Sequence, residues 1–215
     1  MAQLLSVNIG RARPLPGSGR PTGIYKEPAD GAVRIERLGI AEDAIIDRRH
    51  HGGAEQAIYV YFQDDYDWWA GELGAAPQPG LFGENLTIAG SSSAQTAIGD
   101  RLAIGDVLLE VTYHRTPCAT FSAKMGDPGW VRRFHRARRP GAYCRVLAPG
   151  AAAAGMPVAI TPFAGERVGV TELMALDGEK AIPADFMRRA LATPIRDKTR
   201  FKYETRLASL FGDMP

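Results

Sequence analysis

Residues 111–118 read VTYHRTPC, a β-like run that ends at a proline and is followed at once by a thiol. A helix that starts after Pro117 would place Cys118 at its N-terminus. There the helix dipole, Arg115 and Lys124 would favour the thiolate. A thiolate is a nucleophile and a ligand for soft or high-valent metals. The segment marks Cys118 as a candidate working residue, with a buried structural cysteine as the alternative.

The run that precedes Cys118 is one of many short β-like segments. They cover residues 3–9, 32–38, 56–61, 85–88, 101–104, 107–113, 142–147 and 157–162. Glycine or proline lies in most of the gaps between them. Many short strands with Gly-rich turns predict a mainly β protein built as a barrel or a sandwich.

Helical spacing of apolar residues appears in five places. Two predicted helices, at residues 63–73 and 127–138, interrupt the β-rich part, and the second has Pro128 just inside its start. Three short amphipathic segments separated by prolines follow the last predicted strand. We therefore predict a β-rich domain, either a barrel or a sandwich, over residues 1–165 and a small three-helix segment over residues 166–215.

Composition restricts the classes of function. The 215 residues carry a formal net charge of +2, too small to indicate a nucleic-acid partner by itself. The two cysteines form no CxxC pair, which disfavours zinc sites and disulfide scaffolds. The chain shows no secretory signal and no window near the roughly 20 apolar residues of a membrane span. We expect a cytoplasmic protein with reduced thiols and no membrane partner.

Residues 47–53 read DRRHHGG and suggest a binding loop. Gly52 and Gly53 would let the backbone approach a ligand closely. Arg48 and Arg49 would attract an anion, and His51 would donate a hydrogen bond or carry a proton. The alternative is a turn with exposed basic residues, which the spacing alone favours.

Residues 81–86 read LFGENL and place a carboxylate beside an amide. Glu84 and Asn85 would together offer donors and acceptors that orient a heterocycle. The alternative is a turn at Gly83 that leads into a strand.

Five arginines fall within residues 132–139. They are either an electrostatic funnel for an anion or a solvated helix face, and we prefer the second interpretation for most of them. Arg145 lies in a β-like run and is the better candidate for an inward anion contact. Cys144 beside it is expected to pack in the core.

Together and in this order, these stretches resemble the MOSC domain, named after the C-terminal domain of molybdenum-cofactor sulfurase, and in particular its YiiM-like branch. The matching features are HGG at 51–53, GENL at 83–86, IGD at 98–100, RxPC at 115–118 and GxxxRVL at 141–147. The resemblance covers roughly residues 1–162. The part from residue 169 onward also resembles the three-helix segment of YiiM-like proteins.

The resemblance implies a barrel-like fold in which Cys118 ligates molybdenum or carries sulfur. It implies reduction of N-hydroxylated compounds such as hydroxylaminopurines, with the molybdenum cofactor as the bound group and electrons from a separate reductase. Pyridoxal phosphate, which the parent sulfurase holds in another domain, is not expected. The candidates for contact with the pterin phosphate or the substrate are Arg48, Arg49, Arg115 and Arg145. The candidates for proton delivery or orientation are His51, Glu84 and Asn85.

Two other functions remain open on the sequence. Cys118 would hold a persulfide in a sulfur-carrier protein that serves molybdenum-cofactor or metal–sulfur chemistry. A non-enzymatic barrel would bind an anion or single-stranded nucleic acid through residues 132–139. Few aromatic residues are interleaved with that arginine run, so nucleic acid ranks last.

Overall fold

The fold is known from a computed structural model that describes residues 1–47 and 52–211. Within those ranges the strands are β1 (Ala2–Gly10), β2 (Arg13–Pro14), β3 (Pro21–Thr22), β4 (Lys26–Pro28), β5 (Val33–Glu36), β6 (Gly39–Ile40), β7 (Ile58–Phe62), β8 (Leu86–Ala89), β9 (Arg101–Ile104), β10 (Val107–His114), β11 (Ala142–Ala148), β12 (Gly150–Ala152) and β13 (Pro157–Thr161). The helices are α1 (Gln63–Leu73), α2 (Ala119–Met125), α3 (Trp130–Ala137), α4 (Val170–Leu176), α5 (Ala184–Leu191) and α6 (Asp197–Phe211), with a short 3-10 helix, η1, at Ala54–Gln56.

Seven strands close into a barrel. Their order is β13-β9-β10-β11-β7-β8-β1, and β1 pairs back onto β13 to complete the ring. The pairing of β7 with β8 is parallel and the other pairings in the ring are antiparallel. The barrel-like fold that the resemblance implies is therefore confirmed, and of the two folds that the short, Gly-punctuated strands predict, the chain forms the barrel.

Strand β10 ends four residues before Cys118, the predicted working residue. It pairs with β9 on one side and with β11 on the other. Its register against β11 shifts between Val111 and Tyr113, close to where the strand ends at His114. Such irregularities bend a strand and re-aim the side chains beyond it. The bend precedes the segment that carries Arg115 and Cys118.

Two groups of buried side chains form the core. The larger fills the barrel and continues under the C-terminal helices, where Val170, Leu173, Phe186 and Met187 belong to the same buried group as the strand residues. The second lies among α1, α2 and α3. Its aromatic members, which we call the aromatic cluster, are Tyr59, Tyr61, Tyr66, Trp69, Phe82, Phe121, Trp130 and Phe134, and Met174 packs with them.

The C-terminal part forms three helices, α4, α5 and α6, as predicted. Their buried faces share the barrel core, while the division of the chain at residue 165 stays a prediction. In the described part of the chain, none of the helices combines the length and apolar character that crossing a membrane requires.

Candidate functional site

A cavity of about 550 Å³ lies beside the start of α2. Its walls include the hairpin of β2 and β3, residues 44–47, and Gly52. The side chains that give it chemical character are Lys26, Tyr59, Asn85, Arg115, Cys118 and Tyr143. The cavity thus joins segments that lie far apart in the sequence, and it includes three of the predicted site residues with functional side chains.

Cys118 occupies the N-cap position of α2. Its backbone is extended (φ −129°, ψ 172°), and its carbonyl oxygen accepts hydrogen bonds from the N–H groups of Phe121 and Ser122. Gly126, with a positive φ of 69°, ends the helix after seven residues. The side chain of Cys118 is half-buried, lines the cavity and packs against the aromatic cluster. The structure thus places Cys118 at a helix start, as expected from the sequence.

Arg115 is a buried cation in the cavity wall, with only 5% of its surface exposed. Its guanidinium lies over the rings of Phe121, at 4.6 Å, and Tyr59, at 5.2 Å. Its Nη1 atom is buried and has no hydrogen-bond partner among the described residues. A buried donor left unpaired costs roughly 1–3 kcal/mol. Arg115 therefore carries an unused N–H within the cavity wall.

The pKa of Arg115 reflects its surroundings. Burial alone lowers this pKa, but the neighbouring Tyr59, Tyr143 and Cys118 raise it further than burial lowers it. The guanidinium stays charged, as arginine does in proteins generally. A thiolate at Cys118 would therefore have a permanent counter-charge nearby.

A polar network that the sequence analysis missed forms another wall. The Lys26 ammonium donates a hydrogen bond to Asp43 Oδ2, which also accepts one from Asn85 Nδ2 at 3.0 Å. Asn85 Oδ1 in turn accepts the backbone N–H of Tyr59 at 3.1 Å. Burial lowers the pKa of Lys26, and Asp43 opposes that shift. The Asn85 amide therefore fastens Asp43 to β7, and Lys26 is left at the cavity wall as an ammonium that releases its proton more easily than usual.

Flat and apolar side chains form the remaining part of the cavity wall. The rings of Tyr59 and Tyr143 lie 5.3 Å apart, and Ile24 and Ile45 also line the cavity. Burial raises the pKa of both phenols, so they stay neutral. A cavity with apolar walls and a few fixed polar groups suits a polar heterocycle.

Lys124 was expected to add positive charge near Cys118, but its ammonium group binds backbone carbonyl oxygens of two loops. Its ammonium donates to the carbonyl oxygens of Ile24, Gly80 and Leu81, at 3.1, 2.9 and 2.5 Å. Burial lowers its pKa to about 8. The contacts tie α2 to the two loops that border the cavity.

Glu84 is fully buried and lies outside the cavity lining. Its Oε1 accepts hydrogen bonds from the Tyr66 hydroxyl at 2.5 Å, the Gly80 N–H at 2.6 Å and the Thr87 hydroxyl at 3.0 Å. Burial raises its pKa. This arrangement fixes the loop that carries Asn85, and proton delivery by Glu84 stays a prediction.

Arg145 is not brought to the cavity. Its Nη2 bonds Glu55 Oε1 and the Pro194 carbonyl oxygen, both at 3.0 Å, and its Nη1 lies 3.8 Å from Glu110. Two carboxylates therefore already neutralise this guanidinium. Its contact with Pro194 joins the barrel to the C-terminal part. Cys144 beside it is fully buried, as expected.

The glycines of the DRRHHGG stretch both have positive φ angles, 76° for Gly52 and 86° for Gly53. Gly52 lines the cavity, and Gly53 is the N-cap of η1. Arg48, Arg49 and His51 lie outside the described residues.

His114 anchors the segment that carries Arg115 and Cys118. Its Nδ1 lies 3.0 Å from the carbonyl oxygen of Arg115, and its Nε2 lies 3.5 Å from Asp177 Oδ2, at the end of α4. Burial lowers the pKa of His114 to about 4. Neutral His114 therefore connects the cavity wall to the C-terminal helices.

Comparisons with known proteins agree with this architecture. Residues 47–159 match the MOSC domain family. The chain is 27% identical to the protein YiiM of Escherichia coli, over 97% of this chain and 95% of that protein. It is 36% identical to a protein of Gibberella moniliformis named "Reductase", over 68% of this chain but 27% of that protein.

Among solved structures, YiiM from Geobacillus stearothermophilus shares the fold with a TM-score of 0.80. The identity is 23%, and the match covers 97% of this chain and all of the other. The family match spans more than half of the chain and includes the loop of Gly52, the loop of Asn85 and the start of α2. This chain belongs to the MOSC domain family.

Proposed function

We propose that this protein is an oxidoreductase that binds the molybdenum cofactor through Cys118 and reduces N-hydroxylated compounds such as hydroxylaminopurines. The observation that carries the proposal is the pairing, in one cavity, of the Cys118 thiol with the buried Arg115, whose Nη1 is unused. MOSC domains are associated with molybdenum-cofactor biology. The fungal relative named a reductase agrees with a reductive role.

The residues present fit this cofactor. A thiolate is a suitable ligand for molybdenum, and a charged guanidinium with a free N–H is suited to a phosphate or a carbonyl acceptor. Cys118 would therefore hold the metal, and Arg115 the anionic or carbonyl part of the pterin. When bound, the cofactor would supply the redox chemistry of N–O bond reduction.

Reduction of an N–OH group to N–H releases water and consumes two electrons and two protons. Lys26 lines the cavity as an ammonium whose pKa is lowered by burial. A group of that kind is a better proton donor than an exposed lysine. Lys26 therefore joins His51 and Glu84 as a candidate acid. A separate reductase would provide the electrons.

The walls favour a flat substrate. Tyr59 and Tyr143 give aromatic surface, and Ile24 and Ile45 add aliphatic surface to the cavity wall. A purine with an exocyclic hydroxylamino group combines a flat ring with polar edges. Its ring would lie along the tyrosines, with its N–O bond directed to Cys118 and Lys26.

A persulfide carrier is the second candidate, because the half-buried Cys118 thiol lies next to a cation that would stabilise a persulfide anion. Mass spectrometry of freshly isolated protein separates the two. A sulfur adduct on Cys118 together with the absence of molybdenum would favour the carrier.

The direct test of the proposed reaction is turnover of 6-N-hydroxylaminopurine with reduced methyl viologen as the electron source. Protein from cofactor-replete cells should form the amine, and Cys118→Ser should not. Cys144→Ala is the matched control, since Cys144 lies in the core and away from the cavity. Absence of turnover in cofactor-loaded wild type would refute the proposed reaction.

A further inference from the structure

A second cavity, of about 620 Å³, is a shallow surface cleft between α1 and α3. Four arginines line it, together with Trp68, Glu72, Gly129 and Ala137. We call it the arginine cleft, and its arginines are Arg132, Arg133, Arg136 and Arg139. Glu72 is the acidic residue of the lining, so the cleft carries an excess of positive charge.

Two of these arginines are held by the protein. Arg133 donates to the Glu72 carbonyl oxygen at 2.8 Å, and Arg139 to the buried Asp65 carboxylate at 2.8 Å. The other two, Arg132 and Arg136, are exposed and make no hydrogen bond or ion pair with the described part of the chain. They are four positions apart on α3 and so share one helix face, where like charges repel. Two adjacent cations without internal partners mark a surface suited to an acidic partner.

The aromatic cluster packs behind the residues that line the arginine cleft. The Arg133 guanidinium lies 5.0 Å from the Trp130 ring and 5.7 Å from the Trp69 ring. The ring of Trp68, in the lining, lies 4.9 Å from that of Trp69. The outer side of the cluster is therefore in contact with the charged surface.

The inner side of the aromatic cluster reaches the cavity of Cys118. The Trp130 ring lies 5.9 Å from the Phe121 ring, and the Arg115 guanidinium lies 4.6 Å from the same Phe121 ring. Arg115 and Cys118 both line that cavity. Packed aromatic side chains thus connect Arg133 and Trp68 of the arginine cleft to Arg115 of the candidate active site. Electron tunnelling weakens with distance and with gaps between atoms, so this packing favours electron transfer.

We propose that the arginine cleft is the docking surface for the acidic face of a reduced electron-transfer protein, with the aromatic cluster as the medium between that donor and the Cys118 cavity. The inference rests on the proposed reductase function. The donor is oxidised as it delivers the two electrons. These electrons break the substrate N–O bond. The nitrogen takes up one proton to form the amine, and the hydroxyl group takes up a second proton and leaves as water; acidic groups of the cavity, in exchange with solvent, supply both protons.

The positive charge of the arginine cleft and the packed aromatic side chains behind it together favour an acidic electron-transfer protein as the partner. An acidic protein face matches Arg132 and Arg136, and complementary charge speeds encounter between partners. A single-stranded nucleic acid would also meet the charge but needs aromatic faces for stacking. One such face, on Trp68, is engaged by the Arg139 guanidinium at 4.7 Å.

The docking surface is tested first by binding, which requires no cofactor. A fluorescent poly-glutamate peptide should bind the wild type at low salt and dissociate as salt rises. Arg132→Glu with Arg136→Glu should weaken binding by about tenfold or more. The matched control, Arg37→Glu with Lys202→Glu, makes the same change in charge at exposed sites outside the cleft and should bind as the wild type does. No binding by the wild type, equal loss in both double variants, or tighter binding of an oligothymidylate of equal charge would overturn the proposal.

Electron delivery is tested on the cofactor-loaded protein with two reductants. With reduced flavodoxin, an acidic redox protein, the double variant Arg132→Glu/Arg136→Glu should turn over about tenfold more slowly than the wild type. With methyl viologen, which needs no docking surface, the two should be equal. Equal rates with flavodoxin, or equal losses with both reductants, would contradict a docking role. Turnover with methyl viologen depends on the proposed reductase function and not on docking. A failure of the reductase function would therefore abolish turnover with both reductants, whereas a failure of the docking proposal would leave turnover with methyl viologen intact.

Discussion

The buried guanidinium of Arg115 is the group that we propose to hold a ligand in the cavity. Its charge is permanent, its Nη1 is unused, and its position is fixed by aromatic rings on two sides. Arg145, in contrast, is paired with Glu55 and Glu110 outside the cavity. The two arginines were equivalent candidates in the sequence, and the structure gives them different surroundings.

Arg115→Lys should lower the molybdenum content of purified protein by roughly tenfold, because lysine keeps the charge but lacks the planar fork of N–H donors. Arg145→Lys is the matched control and should retain the metal. Molybdenum analysis of the two variants measures this. The reverse pattern would mean that Arg145 is the anion contact.

Lys26→Arg should fold and still pair with Asp43, but it should reduce turnover by about 10²-fold or more, because arginine does not release a proton. In the wild type, turnover requires the ammonium and should fall as pH rises through the pKa of Lys26, which burial places below 10.5. The variant should lack that alkaline decline. A variant that keeps full turnover would remove Lys26 from the mechanism.

At the scale of elements, local patterns predicted what lies within one segment. The strand of residues 107–113 and the helix of residues 63–73 appear as β10 and α1, and Cys118 lies at the start of α2. The helix predicted from residue 127 begins at Trp130, because Asp127 accepts the Gly129 N–H in a turn.

Contacts between segments were not predictable from such patterns. Lys26 and Asn85 meet at Asp43 across 17 and 42 positions, and β2, β3 and β4 are too short to show periodicity. Tyr143 could be predicted only as part of a strand, since nothing in its local sequence indicates that it faces the cavity. These contacts and orientations depend on which distant segments pair in the fold, and the local patterns of a single sequence do not show that pairing.

The burial of His114 beside α4 predicts acid sensitivity. Burial lowers the folded-state pKa of His114 to about 4 from an ordinary value of 6.5, against the opposing charge of Asp177 and with the help of Arg196 and His135. As pH falls, His114 therefore takes up a proton in the unfolded chain before it does so in the folded protein. The contribution of neutral His114 to the free energy of unfolding is fully present above the ordinary pKa of 6.5, and it is lost as pH falls toward the folded-state pKa of about 4. The contribution amounts to roughly 2 kcal/mol between about pH 7 and pH 5.

Urea unfolding of wild type and His114→Gln at those two pH values measures this contribution. The wild type should lose more of its free energy of unfolding on acidification than the variant does. Lys202→Gln, at an exposed site on α6, is the control and should keep the wild-type pH dependence. Equal pH dependence in wild type and His114→Gln would contradict the assigned environment.

For the whole molecule, the class of fold was predictable and the order of strands was not. Gly-punctuated short strands predict a barrel or a sandwich, and closure through the pairing of β1 with β13 decides between them. The C-terminal helices also form as predicted. Their share in the barrel core, through residues such as Leu173, has no signal in the local sequence.

Leu173→Ala should destabilise the whole protein by about 2–5 kcal/mol, because Leu173 is fully buried in the core shared by α4 and the barrel. The fluorescence of the three tryptophans, all within residues 1–165, should report the lower melting temperature together with circular dichroism. Leu210→Ala, at an exposed site on α6, should leave it unchanged. An unshifted tryptophan transition in Leu173→Ala would show that the three-helix segment unfolds independently.

Molybdenum analysis of wild type, Cys118→Ser and Cys144→Ala from cofactor-replete cells tests the central claim most directly. The account predicts metal in the wild type and in Cys144→Ala, and its loss from Cys118→Ser, because the cavity thiolate is the proposed ligand. Metal that persists in Cys118→Ser, or that is absent from all three proteins, would contradict the claim.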